Sequence, residues 1–320
     1  MSVLRVEKLS KRYPARRGLF STGRPPQAAV EDASFEIPRA GIFGLVGESG
    51  SGKSTLGRCV LQLLRPDHGR VIFNGRDLCT ASRHEMRAAR GKLQIIFQDP
   101  LASLSPRRSV LQTLMEPLEQ FENSARANWR TRCEQVLEMV GLDPEILPRL
   151  PQQLSSGQRQ RVGIARAVLT RPDLIVADEA VSALDVSVQA QILNLVKTLR
   201  DEQGIAFLFI SHDLAVIAQV ADTVGVMFRG RIVESGSMEA VFRRPAHPYT
   251  RELLSAVPDP DPAVAFQPLR STRLLSQGAG SGCVFADRCP QVMERCREGR
   301  PASILLEAGS GHRVECLLHE

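Results

Sequence analysis

The chain has 320 residues, a length that favours one large domain with an appendage. Hydrophobic residues make up 43% and charged residues 24%, which is an ordinary composition for a globular protein. Its longest apolar runs, residues 174–177 and 205–210, are far shorter than the roughly 18 residues that cross a bilayer, and charges interrupt the N-terminal segment early, so we expect a cytosolic protein that meets membranes only through a partner. The net charge of +6 suits nucleotides, nucleic acid or an anionic membrane face and selects none of them.

The N-terminal part of the chain predicts strands followed by a glycine-rich turn. Residues 3–13 and 28–37 have the alternating pattern of half-buried strands, and the Arg-, Gly- and Pro-containing residues 14–27 between them predict a surface loop. Residues 41–46 form a short apolar run that predicts a buried strand, and residues 54–64 have a helical pattern. We therefore expect a strand, a glycine-rich turn and a helix in direct succession.

The remainder of the chain predicts helices and then alternating strands and helices. Residues 109–150 have helical spacing, whereas strands and helices alternate over residues 158–233. The alternation predicts an α/β fold with a mostly parallel sheet covered by helices, interrupted by an all-helical insertion. Proline and glycine become frequent after Pro245, where we expect a separate C-terminal segment.

Residues 47–54 fit the phosphate-binding pattern G-x-x-x-x-G-K-[ST]. Glycines let the backbone curl and direct its N–H groups at phosphate oxygens, and the following helix adds its positive N-terminal end. Lys53 is expected to reach the β- and γ-phosphates, and the Ser54 hydroxyl to hold Mg²⁺. Because the motif also lies between a predicted strand and a predicted helix, the sequence predicts nucleotide binding.

A second motif ends an apolar strand with two carboxylates. Residues 174–177 are followed directly by Asp178 and Glu179. Asp178 is placed to support the Mg²⁺ shell, and Glu179 to orient or deprotonate the attacking water. The alternative is an ordinary buried strand whose acidic residues open a loop, which the preceding P-loop disfavours.

Residues 154–158, Leu-Ser-Ser-Gly-Gln followed by a basic extension, closely match the LSGGQ signature, and on this motif the chain resembles the ATP-binding cassette ATPases. The resemblance implies that the signature caps the γ-phosphate bound by a partner subunit, so that each ATP lies between two cassettes. A serine hydroxyl, a glycine N–H and a helix N-terminus all favour an anion. Ser156 departs from the usual glycine, whereas Ser155, Gly157 and Gln158 keep the pattern.

The same resemblance implies roles for single residues elsewhere. Gln98 matches the Q-loop glutamine, Asp185 lies in the D-loop, and His212 matches the switch histidine that contacts the γ-phosphate. Tyr13 matches the aromatic residue that stacks on adenine. The implied catalytic residues are Glu179, His212 and Gln98; the implied Mg²⁺ ligands are Ser54, Gln98 and Asp178; and the implied nucleotide contacts are Tyr13, Gly47, Gly50, Gly52, Lys53, Ser54, Thr55, Asp178, Ser155, Gly157, Gln158 and Asp185.

Three longer segments narrow the resemblance to importers of oligopeptides and dipeptides. Residues 98–107 and 178–187 look like that branch, nearest to the second, F-type, of its two ATPase subunits, and residues 247–250 look like the start of its C-terminal extension. The implied fold is an α/β P-loop NTPase of the ABC type with an antiparallel β subdomain, a helical insertion and a small cysteine-containing extension. The implied domains are residues 1–244, with the helical subdomain at about residues 100–155, and residues 245–320.

The resemblance also implies partners. We expect a second, non-identical ATPase subunit, two transmembrane permeases docked near Gln98 and, indirectly, an extracytoplasmic substrate-binding protein. The chain would lie on the cytoplasmic face of the inner membrane, without a nucleic-acid partner. Nickel, glutathione and peptide-antibiotic importers have similar ATPases, so the cargo stays open. A soluble ABC ATPase of translation or DNA repair is disfavoured because no second cassette or long coiled-coil insertion is visible, and a degenerate regulatory cassette is disfavoured by Glu179 and His212.

Four of the seven cysteines, Cys283, Cys289, Cys296 and Cys316, lie near the end of the chain. In a cytosolic chain such clustering favours a metal site over disulfides. The spacing is poor for a standard zinc module but acceptable for an iron–sulfur cluster held by four thiolates. The resembled branch carries the same cysteine pattern, which implies a [4Fe–4S] cluster, with zinc and free buried thiols as the alternatives.

Overall fold

The structure is a computed structural model that describes residues 2–14, 27–99, 104–122, 128–256, 282–307, 309 and 311–320. Within these ranges, no helix has both the length and the apolar character needed to span a membrane. Most of the predicted surface loop at residues 14–27, and residues 100–103 of the predicted importer motif, lie outside the described residues.

An antiparallel sheet of four strands carries the N-terminal part of the chain. Its order is β2 (Gln27–Pro38), β1 (Ser2–Tyr13), β4 (His68–Phe73) and β5 (Arg76–Asp77). The inward side chains of β1, including Leu4, Val6 and Leu9, are buried in a core that this sheet shares with α1 (Lys53–Val60). The alternating pattern at residues 3–13 therefore predicted both the strand and its buried face.

The larger sheet has eight strands and is parallel at its centre. Its order is β11 (Ile304–Glu307), β12 (His312–Val314), β10 (Arg231–Ser237), β9 (Thr223–Phe228), β3 (Ile42–Val46), β8 (Ala206–Ser211), β7 (Leu174–Asp178) and β6 (Leu93–Ile96). The strands from β9 to β6 pair in parallel, and β3 and β8 are buried along their whole length. Continuous apolar runs are typical of parallel strands covered on both faces, and the α/β fold expected from sequence is confirmed.

Helices cover the larger sheet and form the predicted insertion. Besides α1, the described helices are α2 (Arg83–Lys92), α3 (Val110–Phe121), α4 (Trp129–Met139), α5 (Ser156–Val168), α6 (Val186–Gln203), α7 (Leu214–Val220), α8 (Met238–Arg243), α9 (Pro248–Ser255) and α10 (Arg295–Glu298). Leu114 of α3, Leu137 of α4 and Ile164 of α5 are fully buried in one core with the sheet. Helix α1 ends earlier than predicted because the chain turns at Gln62, whose φ is 53°.

The C-terminal extension adds two strands to the larger sheet, where β12 pairs with β10. Behind this pairing, the Glu234 carboxylate accepts the N–H groups of Ala246 at 2.8 Å and His247 at 2.9 Å. His312 of β12 places its Nε2 atom 2.7 Å from the same carboxylate. A fully buried carboxylate with three polar partners is compensated for its loss of water, so Glu234 joins β10, the start of α9 and β12. The domain limit at residue 245 stays a prediction.

We expect Glu234→Ala to lower the free energy of unfolding by about 3 kcal/mol, because three buried groups lose their common partner. Urea unfolding followed by circular dichroism measures the loss. Glu239→Ala is the matched control: this carboxylate is 73% exposed in a surface pair with Arg243. Its removal should change stability by no more than about 0.5 kcal/mol. Equal effects of the two substitutions would contradict the anchoring role of Glu234.

The buried His247 ring predicts a pH dependence of stability. Burial lowers the pKa of its imidazole from 6.5 to about 4, and the neutral Nδ1 accepts the Tyr249 N–H at 3.0 Å. Between these two values the His247 ring binds a proton in the unfolded chain but not in the folded chain. The contribution of the neutral ring to stability is therefore complete above pH 6.5 and is lost as pH falls toward 4.

Between about pH 7.5 and about pH 5, the wild type should therefore lose about 2 kcal/mol more stability than His247→Asn. Asparagine keeps a cap acceptor for α9 and does not titrate, so the difference between the two urea-unfolding profiles isolates the ring. Parallel pH profiles would show that His247 does not contribute.

Candidate functional site

The phosphate-binding segment follows β3 in the middle of the larger sheet and leads into α1. Gly52 has a φ of 108°, and a Cβ atom there would lie 2.0 Å from the carbonyl oxygen of Ala29. At Gly47 a Cβ atom would lie 2.1 Å from the carbonyl oxygen of Met227. Gly50 has open space around it but a φ of 81°. The three glycines of the motif are thus required for two reasons, close backbone approach and left-handed backbone.

Lys53 opens α1 and is buried within the loop. Its Nζ atom donates to the carbonyl oxygens of Gly47 at 2.7 Å and Glu48 at 2.9 Å. Burial lowers the pKa of Lys53, while the carboxylates of Glu179 and Asp178 act in the opposite direction. A cation held in this position suits the β- and γ-phosphates of a nucleotide.

Two of the predicted Mg²⁺ ligands meet directly. The Ser54 hydroxyl of α1 donates to Asp178 Oδ1 of β7 at 2.8 Å. Burial is the main reason that the pKa of Asp178 is raised, and the bond from Ser54 acts against it. Mg²⁺ commonly takes one or two protein oxygens and completes its shell with phosphates and water, so this pair fits that ion. The third predicted ligand, Gln98, instead donates its amide to Glu179 Oε2 at 2.8 Å.

Glu179 lies just after β7 and brings the three predicted catalytic residues together. Gln98 holds one of its carboxylate oxygens, and His212 Nδ1 lies 3.6 Å from the other. The φ of Glu179 is 49°, an uncommon value for a residue other than glycine, and its N–H donates to the Ile210 carbonyl at 3.0 Å. Strained backbone that is held by its surroundings is concentrated at functional sites. The carboxylate is therefore aimed into the site by the fold.

Tyr13 and Thr55 border the phosphate loop on its other side. Tyr13 ends β1, is 40% exposed, and places its hydroxyl 3.5 Å from the Thr55 hydroxyl in the first turn of α1. The exposed ring beside the start of α1 offers a flat apolar surface for an aromatic base.

The signature residues occupy the N-terminus of α5. The Ser155 hydroxyl accepts the Gln158 N–H at 3.2 Å, and the Gln158 side chain accepts the Ser155 N–H at 2.9 Å, which forms a capping box. Ser156 is the first residue of the helix, and Gly157 packs against Val188. Within the described part of the chain, no hydrogen bond or ion pair joins this segment to the P-loop.

Asp185 caps the next long helix, α6. Its carboxylate accepts hydrogen bonds from the Ser187 hydroxyl at 2.7 Å and the Val188 N–H at 3.0 Å, and these bonds lower its pKa. The neighbouring Val186 is 83% exposed. The predicted D-loop therefore ends at a fixed helix cap, and the first residue of α6 directs an apolar side chain outward.

The four late cysteines lie near one another in the C-terminal extension. Burial raises the pKa of Cys283, Cys289 and Cys316, and neighbouring thiols of the group add to each rise. Cys296 packs in a small apolar cluster with Leu317. However, the described ranges contain no group of three or more His, Cys, Asp or Glu side chains that could hold a metal ion. The described side-chain geometry thus does not support the iron–sulfur cluster expected from sequence.

Two residues of the extension reach the phosphate loop and were not predicted from the sequence. The Tyr249 hydroxyl accepts the Glu48 N–H at 3.0 Å, and Arg288 pairs with the Glu48 carboxylate. Tyr249 lies in the predicted importer motif and Arg288 stands beside Cys289, but no local pattern relates positions 201 and 240 residues apart.

The chain is similar to known proteins along nearly its whole length. A family model of ABC transporters matches residues 30–182, and a model of the oligopeptide/dipeptide transporter C-terminal region matches residues 233–296. A probable peptide ABC transporter ATP-binding protein of Sinorhizobium fredii is 47% identical over 98% of this chain and 89% of the relative. A putative oligopeptide transport ATP-binding protein of Bacillus subtilis is 45% identical over 91% of this chain and 89% of the relative.

Solved structures match the cassette part of the chain. A dimeric post-hydrolysis state of an ATP-binding cassette bound to ADP and Pi superposes with a TM-score of 0.65 at 26% identity. The match covers 73% of this chain and 98% of that one.

Proposed function

The chain belongs to the ATP-binding subunits of ABC transporters, and on that premise we propose how its residues power peptide import. It is an ATPase subunit of a peptide importer, similar over 98% of its length to a probable peptide transporter subunit. One observation carries the proposed site: at the carboxyl edge of the parallel strands, Ser54 meets Asp178, and Gln98 and His212 meet Glu179. Ligands of open α/β sheets bind at this edge.

ATP binding is assigned to the phosphate loop and Tyr13. Backbone N–H groups of residues 47–54 and the N-terminus of α1 hold the phosphates, and Lys53 neutralises their charge. Tyr13 stacks on the adenine beside Thr55. Ser54 and Asp178 would hold Mg²⁺, which neutralises negative charge on the β- and γ-phosphate oxygens when bound.

Hydrolysis is assigned to Glu179. Its carboxylate orients the attacking water and accepts its proton, while Gln98 at one oxygen and His212 near the other fix its position. His212 is 49% exposed, so its ring can also meet a γ-phosphate that enters from solvent.

The signature is assigned to the ATP of a partner subunit. Ser155 and Gly157 lie at a helix N-terminus, which favours an anion, and no described hydrogen bond or ion pair joins them to their own P-loop. The similar cassette bound to ADP and Pi is a dimer. Two cassettes would close around ATP because the closed pair binds it more tightly than the open pair.

The partners follow from the importer family. A complex with transmembrane permeases is expected of this subunit, and we propose two permeases, a second non-identical ATPase and, indirectly, an extracytoplasmic substrate-binding protein. Phe97, 42% exposed beside Gln98, offers an apolar side chain for docking a permease. The chain would lie on the cytoplasmic face of the inner membrane, with the cassette at residues 1–244, the extension at residues 245–320 and no nucleic-acid partner.

We expect ATP hydrolysis by the complex, reconstituted with its permeases, second ATPase and binding protein, to rise when di- or oligopeptides are added. Phosphate release measures the rate, with nickel and glutathione as comparison cargoes.

Glu179→Gln in the same complex should bind ATP and hydrolyse it at least about a hundredfold more slowly, since its general base is gone. Stimulation only by nickel or glutathione would overturn the peptide assignment, and undiminished hydrolysis by Glu179→Gln would overturn its catalytic role.

We further propose that the four C-terminal thiols bind a [4Fe–4S] cluster. The proposal rests on the cysteine pattern of the sequence and on the position of all four cysteines in one small segment of the extension, where the Cys283 N–H donates to the Cys296 carbonyl at 2.8 Å. Four thiolates are the usual ligands of such a cluster. Metal binding favours the thiolate form and can stabilise a small segment that has little core of its own.

Protein purified without oxygen should be brown and contain iron and sulfide in equal amounts. Cys289→Ser should lose colour and iron, whereas Cys133→Ser, which replaces a fully buried cysteine of the helical insertion, should keep both. A colourless wild type would contradict the cluster, whether it contains stoichiometric zinc or no metal.

A further inference from the structure

The C-terminal extension makes a specific contact with the phosphate loop. Arg288 Nη1 donates to Glu48 Oε2 at 2.9 Å, and Nη2 donates to Glu48 Oε1 at 2.8 Å. Glu48 is the second residue of the phosphate-binding motif, 240 residues before Arg288. A two-pronged pair of this kind fixes both the distance and the plane of the carboxylate.

Glu48 is also held through its backbone. Its N–H donates to the Tyr249 hydroxyl at 3.0 Å. Its carbonyl oxygen accepts from Lys53 Nζ at 2.9 Å and from the Ser51 N–H at 3.1 Å. The extension therefore holds the amide and the carboxylate of the residue whose carbonyl positions the phosphate-binding lysine.

The groups that hold Glu48 are themselves rigid. Tyr249 is fully buried, and its ring centroid lies 4.6 Å from that of Phe228 and 5.5 Å from that of Phe285. Arg288 packs over these rings, pairs with Glu252 and is only 19% exposed. A guanidinium locked in this way loses little further entropy when it binds Glu48.

The backbone of Arg288 belongs to the cysteine segment. The N–H groups of Arg288 and Cys289 both donate to the Phe285 carbonyl at 3.0 Å, and the Ala286 N–H donates to the Cys283 carbonyl at 3.1 Å. The turn that contains Arg288 thus lies between Cys283 and Cys289, so its shape depends on the positions of these two residues.

We propose that Arg288 and Tyr249 are positioning residues for ATP, which hold Glu48, and through it the P-loop and Lys53, in the phosphate-binding conformation. The extension is then a working part of the nucleotide site. The inference rests on the proposed function, since it deepens the role of the same P-loop.

The affinity of the purified full-length chain for a fluorescent ATP analogue tests the proposal. Arg288→Ala should raise the Kd about tenfold, because a hydrogen-bonded charge pair that orders the loop is lost. The Kd of Arg288→Lys should lie between those of the wild type and Arg288→Ala, because one ammonium group cannot make both parallel hydrogen bonds of the planar guanidinium. Tyr249→Phe keeps the ring and removes only the hydroxyl, so it should raise the Kd by a smaller factor while leaving the thermal midpoint near that of the wild type.

A double-mutant cycle separates positioning from general destabilisation. If Arg288 acts through Glu48, then Arg288→Ala should change the Kd less than about twofold in a Glu48→Ala background. In the assembled complex, KM for ATP should rise with Arg288→Ala while kcat stays nearly constant. Arg229→Ala is the matched control, since Arg229 lies over the same Phe228 ring at the same 5.4 Å but pairs with Asp287. It should bind ATP like the wild type.

The proposal is overturned if the wild type binds the analogue and both Arg288→Ala and Tyr249→Phe bind it equally well. It is also overturned if Arg288→Ala has the same effect with and without Glu48, because the action then does not pass through the loop. Failure of the wild type itself to bind the analogue would overturn the proposed function and this inference together, so the two failures are distinguishable.

Discussion

Parallel pairing of β3, β8 and β7 is the constraint on which the site depends. The register sets Val46 opposite Ser211 and Asp178 opposite Ile210, so three strands end at one edge of the sheet. The P-loop, the carboxylates of β7 and His212 follow these ends and meet there. Because these strands are almost wholly buried, a slip in register would misplace apolar side chains throughout the core. The cost of that misplacement keeps the proposed catalytic groups aligned.

The same edge concentrates opposite charges at short range. Burial lowers the pKa of Lys53 and raises that of Asp178. The opposite charge of each group partly offsets the effect of burial on the pKa of the other. Glu48 adds a further negative charge in the phosphate loop, and Arg288 neutralises this charge. The carboxylates of Glu48 and Glu252 in turn raise the pKa of the Arg288 guanidinium. ATP with Mg²⁺ brings new charges of both signs into this edge, so the charge pairs around the loop influence how tightly it binds.

The C-terminal extension is attached at two separate places. At the side of the larger sheet where β12 pairs with β10, Glu234 joins β10 to His312 of β12 and to the start of α9. At the nucleotide site, Tyr249 and Arg288 hold Glu48. Both attachments join the extension to buried, packed elements of the cassette rather than to exposed loops. The importer-type extension is therefore physically continuous with the ATP site.

The amino-acid sequence by itself determined the elements whose causes are local. The glycines of residues 47–54, the apolar run of β7 with its two carboxylates, and the signature at residues 154–158 each act over a few residues, so each pattern predicts its local structure, and the chemistry expected of them stays a prediction. Tertiary structure alone decided that Gln98 binds Glu179, that Glu234 meets His312 and that Arg288 holds the phosphate loop. These partners lie 78 to 240 residues apart and meet only through the order of strands in the sheet, which no local pattern contains.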